Sequence, residues 1–396
     1  MGVKVCEHNP STKCSVIQFE TVWVVTMKIA VLGGGNGSYA AAADLSEQGH
    51  DVRFWRRSAA ALEPARTAGT ISLKDVNGQR DVAIGLITPD IGAAVRGAAL
   101  ILLPGPANAQ IDIAAQMAPF LSNGQVVFLP PGTLGSIAMA QVLHQLRCKA
   151  EITFAETGTL PYLTRKHGTF DSREVAITMR AKRLPTGAFP ASRAAHAMKT
   201  VGQAYPCIEP IEDALSGALM NAGPIIHPPL ILMNAGPLAH FERWDIHKEG
   251  TQPAIRRVHD ALDAERIAVR EALGYGPYHF PLRDHYETKN WMYGDAHDRL
   301  TESGDWREKI DLQTHRYMRE DIVYGLALLV SVAQWAGVPA PVAGGLLALA
   351  GAVIGEDILV TSPRTLGAMG LSGLSRAQMS ALLQDGDFSK LPVAPC

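Results

Sequence analysis

Proton transfer at neutral pH calls for a held imidazole, and anion binding calls for a guanidinium; this chain offers both in distinctive settings. His227 lies in the apolar segment Leu219-Met220-Asn221-Ala222-Gly223-Pro224-Ile225-Ile226-His227-Pro228-Pro229, where two following prolines restrict its backbone. Asp321 stands in Arg316-Tyr317-Met318-Arg319-Glu320-Asp321, where a polar stretch enters a long apolar run and a carboxylate needs a partner. A carboxylate paired with a histidine orients the ring and raises its pKa toward working pH, the setting for general acid–base catalysis. Arg316, five residues before Asp321, can clamp a substrate carboxylate through two parallel hydrogen bonds. Each feature has a plainer reading. A histidine in an apolar segment is more often a satisfied core residue, and the 316–321 stretch reads equally as a polar helix start with surface salt bridges.

The second chemical feature is the turn Gly33-Gly34-Gly35-Asn36-Gly37. It follows the apolar run Ile29-Ala30-Val31-Leu32 and precedes an alanine-rich segment ending at Gln48. Strand, glycine turn, helix and second strand (Val52-Arg53-Phe54-Trp55) is the order of a dinucleotide-binding βαβ unit. Gly33 permits the tight turn, Gly35 lets the backbone approach a pyrophosphate, and a helix opening near Asn36 aims its N–H groups at the phosphates. The third glycine position holds Ser38, still small enough for close helix–strand packing. A glycine-rich turn without a ligand is the lesser alternative. Beyond the second strand, where NAD-binding units place an acid about 20 residues after the turn, stand Arg56 and Arg57. Guanidinium groups bind a 2′-phosphate that a carboxylate would repel, so NADP(H) is the expected cofactor, with NAD possible. The alternative is a solvated surface pair of arginines.

These residues need elements to position them. Three more short apolar runs end in Gly/Pro turns: 99–103 before Pro104-Gly105-Pro106, 125–129 before Pro130-Pro131-Gly132-Thr133, and 151–155 before Glu156-Thr157-Gly158. They read as strands of a parallel sheet covered on both faces, with ligands beyond their carboxyl ends. Pro104 is thus a candidate cofactor wall. Residues 175–179 are expected to close that sheet. After about residue 208 the pattern turns helical. Residues 255–273 are amphipathic and stop at Gly274, and 322–355 carry no charge but are broken by Pro339, Pro341 and Gly344-Gly345. Two buried helices fit these pieces better than a membrane span. A last short helix is expected near Ser375. The fold class is therefore α/β followed by all-α: a first domain at 27–208 and a helical one at 209–396. Residues 1–26, ahead of Met27, read as an extension without a signal-peptide plan.

Composition narrows the function. The chain has 396 residues, 47% hydrophobic and 19% charged, with a net charge of -2, which offers no basic surface to a nucleic acid. Cys6, Cys14, Cys148, Cys207 and Cys396 are scattered without metal-ligand spacing, so neither a metal site nor a disulfide framework is expected, and a reducing, cytoplasmic setting is.

The Asn-Gly end of the glycine turn, Asn221…His227-Pro228, Arg316-Tyr317…Glu320-Asp321 and Leu371-Ser372-Gly373-Leu374 together resemble the opine dehydrogenase family, including octopine/nopaline dehydrogenase and N-(1-carboxyethyl)-norvaline dehydrogenase, over residues 27–384. That resemblance implies a Rossmann domain, a helical substrate domain and an active site between them. It implies reductive condensation of an amino acid's amine with an α-keto acid through an imine. His227 matches the family's catalytic histidine, Asp321 its partner and Arg316 its carboxylate-binding arginine; Asn221 is retained among the substrate-binding positions. Many members carry a second asparagine four residues before the histidine, where this chain has Gly223. Arg56 replaces the acid of NAD-using members, and nopaline-type members are similar in favouring NADP. Trp244, Tyr286, Trp291 and Trp306 are candidates for the substrate side-chain pocket or, equally, for the core, and a homodimer through the apolar C-terminal helices is the expected assembly. Two rival readings are a ketopantoate-type carbonyl or hydroxy-acid reductase of the same plan and a non-catalytic NADP-binding protein.

Overall fold

The structure, a computed structural model, describes residues 26–166, 168–169, 171–303 and 306–390. Most of the extension at 1–26 therefore lies outside the described residues, as do Cys6, Cys14 and Cys396.

The first domain contains strands β1 (Lys28–Leu32), β2 (Asp51–Trp55), β3 (Thr70–Asp75), β4 (Gly78–Ala83), β5 (Leu86–Thr88), β6 (Leu100–Leu102), β7 (Val126–Leu129), β8 (Thr153–Thr157), β9 (Tyr162–Lys166), β10 (Glu174–Arg180), β11 (Leu184–Phe189) and β12 (Ile208–Pro210). Eight of them form one sheet in the order β12-β11-β8-β7-β6-β1-β2-β5, parallel except where β11 runs against β8. Side chains alternate between two buried faces. Ile29, Val31, Val52 and Phe54 join one apolar cluster; Ala30, Leu32, Ile101 and Val127 join the other, which continues into the second domain through Leu215, Ile225 and Met318. Burial on both faces explains why these strands read as unbroken apolar runs. β1 pairs with β2 on one side and β6 on the other. The chain thus winds in opposite directions from the centre, and the ends of β1 and β6 mark the crevice where such sheets bind ligands.

Residues 175–179 do not close this sheet. They belong to β10, which pairs parallel with β3 and antiparallel with β9 in a separate four-stranded sheet, order β4-β3-β10-β9. An apolar run records burial, not the partner that buries it, and here Glu174–Ala176 register with Ser72–Lys74. Helix α1 (Asn36–Glu47) packs between the two sheets, so Ala40, Ala41, Ala42 and Ala43 are fully buried. A run of alanines lets the helix pack closely against both sheets.

Among the described residues the second domain is helical, apart from one two-residue pairing of Trp244–Asp245 with Arg307–Glu308. Its core elements are helices Gly223–Met233 and Pro253–Ala272, a π-helical segment Tyr317–Leu326 running into helix Ala327–Ala336, and helix Pro341–Ile354. The uncharged stretch is broken at Gly337, where φ is +68° and the preceding helix ends. No helix among the described residues is long and apolar enough to cross a membrane. Helix Arg376–Asp385 opens at Ser375, whose side chain caps it in a reciprocal pair with Gln378.

Candidate functional site

Two helices of the second domain bring the imidazole and the carboxylate together. His227 Nδ1 lies 2.8 Å from Asp321 Oδ2. Asp321 is on the π-helical segment, and wider π turns recur at functional sites because they re-aim side chains. The close approach is accommodated by two glycines. A Cβ on Gly325 would overlap the Pro224 ring, and one on Gly223 would overlap the Asp321 carboxylate. The departure from the family's asparagine at 223 thus leaves the space that Asp321 occupies. The helix start is tied down by Asn221: its Oδ1 accepts from Gly223 N–H (3.0 Å) and its Nδ2 donates to Thr133 Oγ1 (2.9 Å) beyond β7.

The His227 ring stacks on Tyr317, with centroids 3.8 Å apart and planes 16° from parallel. Neighbouring histidines are held neutral by burial: His247 well below the usual range, His259 at about 4 and His285 at about 3. His227 differs from these three in facing a carboxylate. Arg316 sits beside the pair with Nη2 3.4 Å from Glu320 Oε2.

His227, Asp321, Tyr317 and Arg316 line one cleft that also reaches Asn36 at the start of α1 and Gly158 beyond β8. The cleft therefore joins the glycine turn to the His227–Asp321 pair. Gly33 has φ +132° and Gly35 has no atom within 4 Å of where a Cβ would project. No side chain caps α1 and no acid lies in its first turn. An open approach to uncapped N–H groups fits a dinucleotide pyrophosphate. Gly37 is pinned close to the backbone of Pro104, and Ser38 is fully buried.

The two arginines after β2 part company. Arg56 is buried over Gly34, with Nη1 donating to Tyr39 Oη (3.1 Å) and to the Ala61 carbonyl (2.9 Å). Arg57 is exposed and pairs with Asp112 at 2.9 Å. A second cation unforeseen from the sequence, Lys166, lies with Nζ 3.9 Å from the Tyr39 ring centroid. Burial first, then the nearby Arg56, press its pKa down to about 8. Of the four aromatic candidates, Trp291 and Trp306 line the cleft. Trp244 instead stacks on Phe241 and bonds Asn234, and Tyr286 stacks on His259.

Behind the turn after β7, Glu156 is fully buried. Ser136 N–H donates to its Oε2 (3.2 Å), while its Oε1 has no partner among the described residues. Desolvation pushes this carboxyl up from 4.5 to about 8, against the Ser136 N–H and then the buried Arg364 guanidinium, which both favour the charged form. The folded protein therefore binds a proton here that the unfolded chain releases, and stability falls as pH rises from about 4.5 to about 8. Glu156→Gln, neutral and isosteric, is expected to flatten that decline and to make the variant the more stable protein at pH 8. Urea unfolding midpoints across this range, compared with wild type, check it.

Comparison with known proteins follows the same division. Residues 210–354 match the α-helical domain of NAD/NADP octopine/nopaline dehydrogenase, and residues 28–132 match the N-terminus of NAD-dependent glycerol-3-phosphate dehydrogenase. An opine dehydrogenase of Arthrobacter sp. is 28% identical over 364 residues, covering 90% of this chain and 98% of the relative. Among solved structures, octopine dehydrogenase in complex with NADH and agmatine superposes with a TM-score of 0.68 at 20% identity, over 91% of this chain and 98% of that one. Yersinopine dehydrogenase with bound NADP+ gives a TM-score of 0.58 at 15% identity, over 91% and 98%. With a dinucleotide-binding sheet, an octopine/nopaline-type helical domain over residues 210–354 and a cleft that reaches both, the chain is similar to opine dehydrogenases along most of its length.

Proposed function

We propose that this chain is an NAD(P)H-dependent opine dehydrogenase that condenses an amino acid's amine with an α-keto acid and reduces the resulting imine, with NADPH preferred. The observation that carries the reading is the His227–Asp321 pair, 2.8 Å apart, in a cleft that reaches the dinucleotide turn. Bound NAD(P)H supplies the hydride. Asp321 accepts from Nδ1–H of His227, which fixes the tautomer and leaves Nε2 to exchange protons with the amine and the carbonyl oxygen as water is lost. Tyr317 holds the ring from one face. Arg316 positions a carboxylate so that the carbon to be reduced is presented in one orientation. The structure of yersinopine dehydrogenase carries NADP+ and that of octopine dehydrogenase NADH, so both cofactors occur among similar folds.

A panel of amino acids against pyruvate and 2-oxoglutarate, following NADPH absorbance, tests the function. Consumption of NADPH with a keto acid alone selects the carbonyl-reductase reading, and tight NADPH binding without any turnover selects the non-catalytic one. NADPH preference rests on Arg56, with Lys166 beside it. A charge-assisted hydrogen bond is worth about 1.5–3 kcal/mol, so Arg56→Ala is expected to weaken NADPH binding about tenfold or more and to leave NADH nearly unaffected. Equal losses for both cofactors, measured by fluorescence titration, remove Arg56 from 2′-phosphate recognition. We also propose a homodimer through the C-terminal helices, where Leu349 and Val360 are exposed; light scattering gives the mass.

A further inference from the structure

The two arginines of the cleft flank one aromatic ring. Arg316 precedes Tyr317 in sequence, and its guanidinium carbon is 6.0 Å from the Tyr317 ring centroid. Arg165, at the cleft end of β9, reaches the same residue from the first domain: its Nη2 donates to Tyr317 Oη (3.3 Å) and to Glu308 Oε1 (3.0 Å). Its guanidinium carbon lies over Trp306, 3.8 Å from the ring centroid. Its Nε–H is buried and meets no acceptor among the described residues. Tyr317 is itself stacked on His227, so Arg165 is held one ring away from the proposed proton-transfer group.

The charge count of the cleft is one-sided. Its walls present Arg165 and Arg316, and the acidic residue among the described ones lining it is Asp321, already engaged with His227. Glu308 and Glu320 contact the arginines but do not line the cleft. Two fixed guanidinium groups against one committed carboxylate suit a ligand with two carboxylates. Beyond Trp306 the wall continues through Leu163, Trp291, Tyr293 and Leu300, which offers no counter-charge to a cationic side chain.

We propose that Arg165 is a second carboxylate clamp, holding the α-carboxylate of the amino-acid substrate while Arg316 holds that of the keto acid, and that this amino acid has an uncharged side chain packed along the Trp306–Trp291 wall. The assignment rests on the opine dehydrogenase reading and adds the substrate class to it. A planar fork held over Trp306 presents paired N–H groups to a carboxylate with little further loss of side-chain freedom. An arginine or lysine side chain in the same place would find no uncommitted carboxylate among the described residues lining the cleft.

The test compares L-leucine, L-arginine and isoamylamine, which is leucine without its carboxylate, as amines with pyruvate and NADPH. Wild type is expected to use leucine well, arginine poorly and isoamylamine poorly. Arg165→Gln is expected to raise the leucine KM about 10–100-fold, the loss of a charge-assisted pair, with kcat and the pyruvate KM within a few-fold of wild type. The preference for leucine over isoamylamine then collapses. Arg165→Lys keeps the charge without the fork and is expected to fall between the two. An unchanged leucine-to-isoamylamine ratio in both variants, with NADPH affinity intact, overturns the clamp; better use of arginine than leucine overturns the side-chain assignment. If wild type turns over no amine–keto acid pair, the functional reading fails on its own. Fluorescence-detected L-leucine binding to the NADPH complex then still decides for the clamp if Arg165→Gln weakens it, and against it if the affinity is unchanged.

Discussion

His227→Ala is expected to lower kcat by roughly 10²–10⁴-fold, the range supplied by a positioned general acid–base group. NADPH affinity should hardly move, because His227 contacts the second domain and the glycine turn is carried by the first. The expectation follows from geometry. The imidazole is fixed by a carboxylate at Nδ1 and by a stacked ring on one face, so its second nitrogen has a defined direction. Asp321→Asn tests the same arrangement more finely. The amide fills the same space beside Gly223 but can donate to the ring as well as accept, so the tautomer is no longer enforced. Its kcat should fall with the leucine and pyruvate KM values nearly constant. Turnover by His227→Ala at the wild-type rate would remove the residue from the mechanism.

Gly158→Ala is expected to damage both stability and turnover, although Gly158 carries no chemistry. A Cβ there would overlap the Met220 carbonyl, and backbone cannot swing aside as a flexible side chain does. Ala222 N–H also donates to the Gly158 carbonyl (3.1 Å), so the end of β8 is pressed directly onto the segment that starts the His227 helix. Overpacking of this kind costs about 1–3 kcal/mol. A shift of about 1 Å at a catalytic group can cost about 10²-fold in rate. Gly344→Ala supplies the control. It lies in helix Pro341–Ile354 with open space where its Cβ would project, and is expected to be neutral or to stabilise by up to about 1 kcal/mol. Urea unfolding and kcat measured on both variants separate the two expectations. A Gly158→Ala protein as stable and active as wild type would show that the contact between β8 and the helix start can relax without consequence.

The local features of this chain were legible because local chemistry fixes them. A glycine turn between an apolar strand and an alanine-rich helix has few other uses, and Ser375 with Gln378 three residues on spells a helix start whatever lies around it. His227 and Asp321 stood out through the conflict between a polar group and apolar surroundings, which demands a partner somewhere, and Arg316 through its spacing from Asp321. Tertiary structure alone decided which partner. Nothing in residues 174–180 says whether their neighbour is β3 or the large sheet, since strand runs record burial and pairing is long-range. Adjacent Arg56 and Arg57 look alike in sequence, yet strand geometry sends one over the glycine turn and the other to Asp112. Lys166 and Arg165 gave no signal, because each is an ordinary cation on a short strand until β9 brings it beside Tyr39 or Tyr317. The same holds for Gly223, a departure from the family pattern when read along the chain and the space for the Asp321 carboxylate when read across the helices. The sequence by itself determined the kinds of group available and the elements that carry them. The distances among those groups come from contacts far apart in the chain, and only the folded structure sets them.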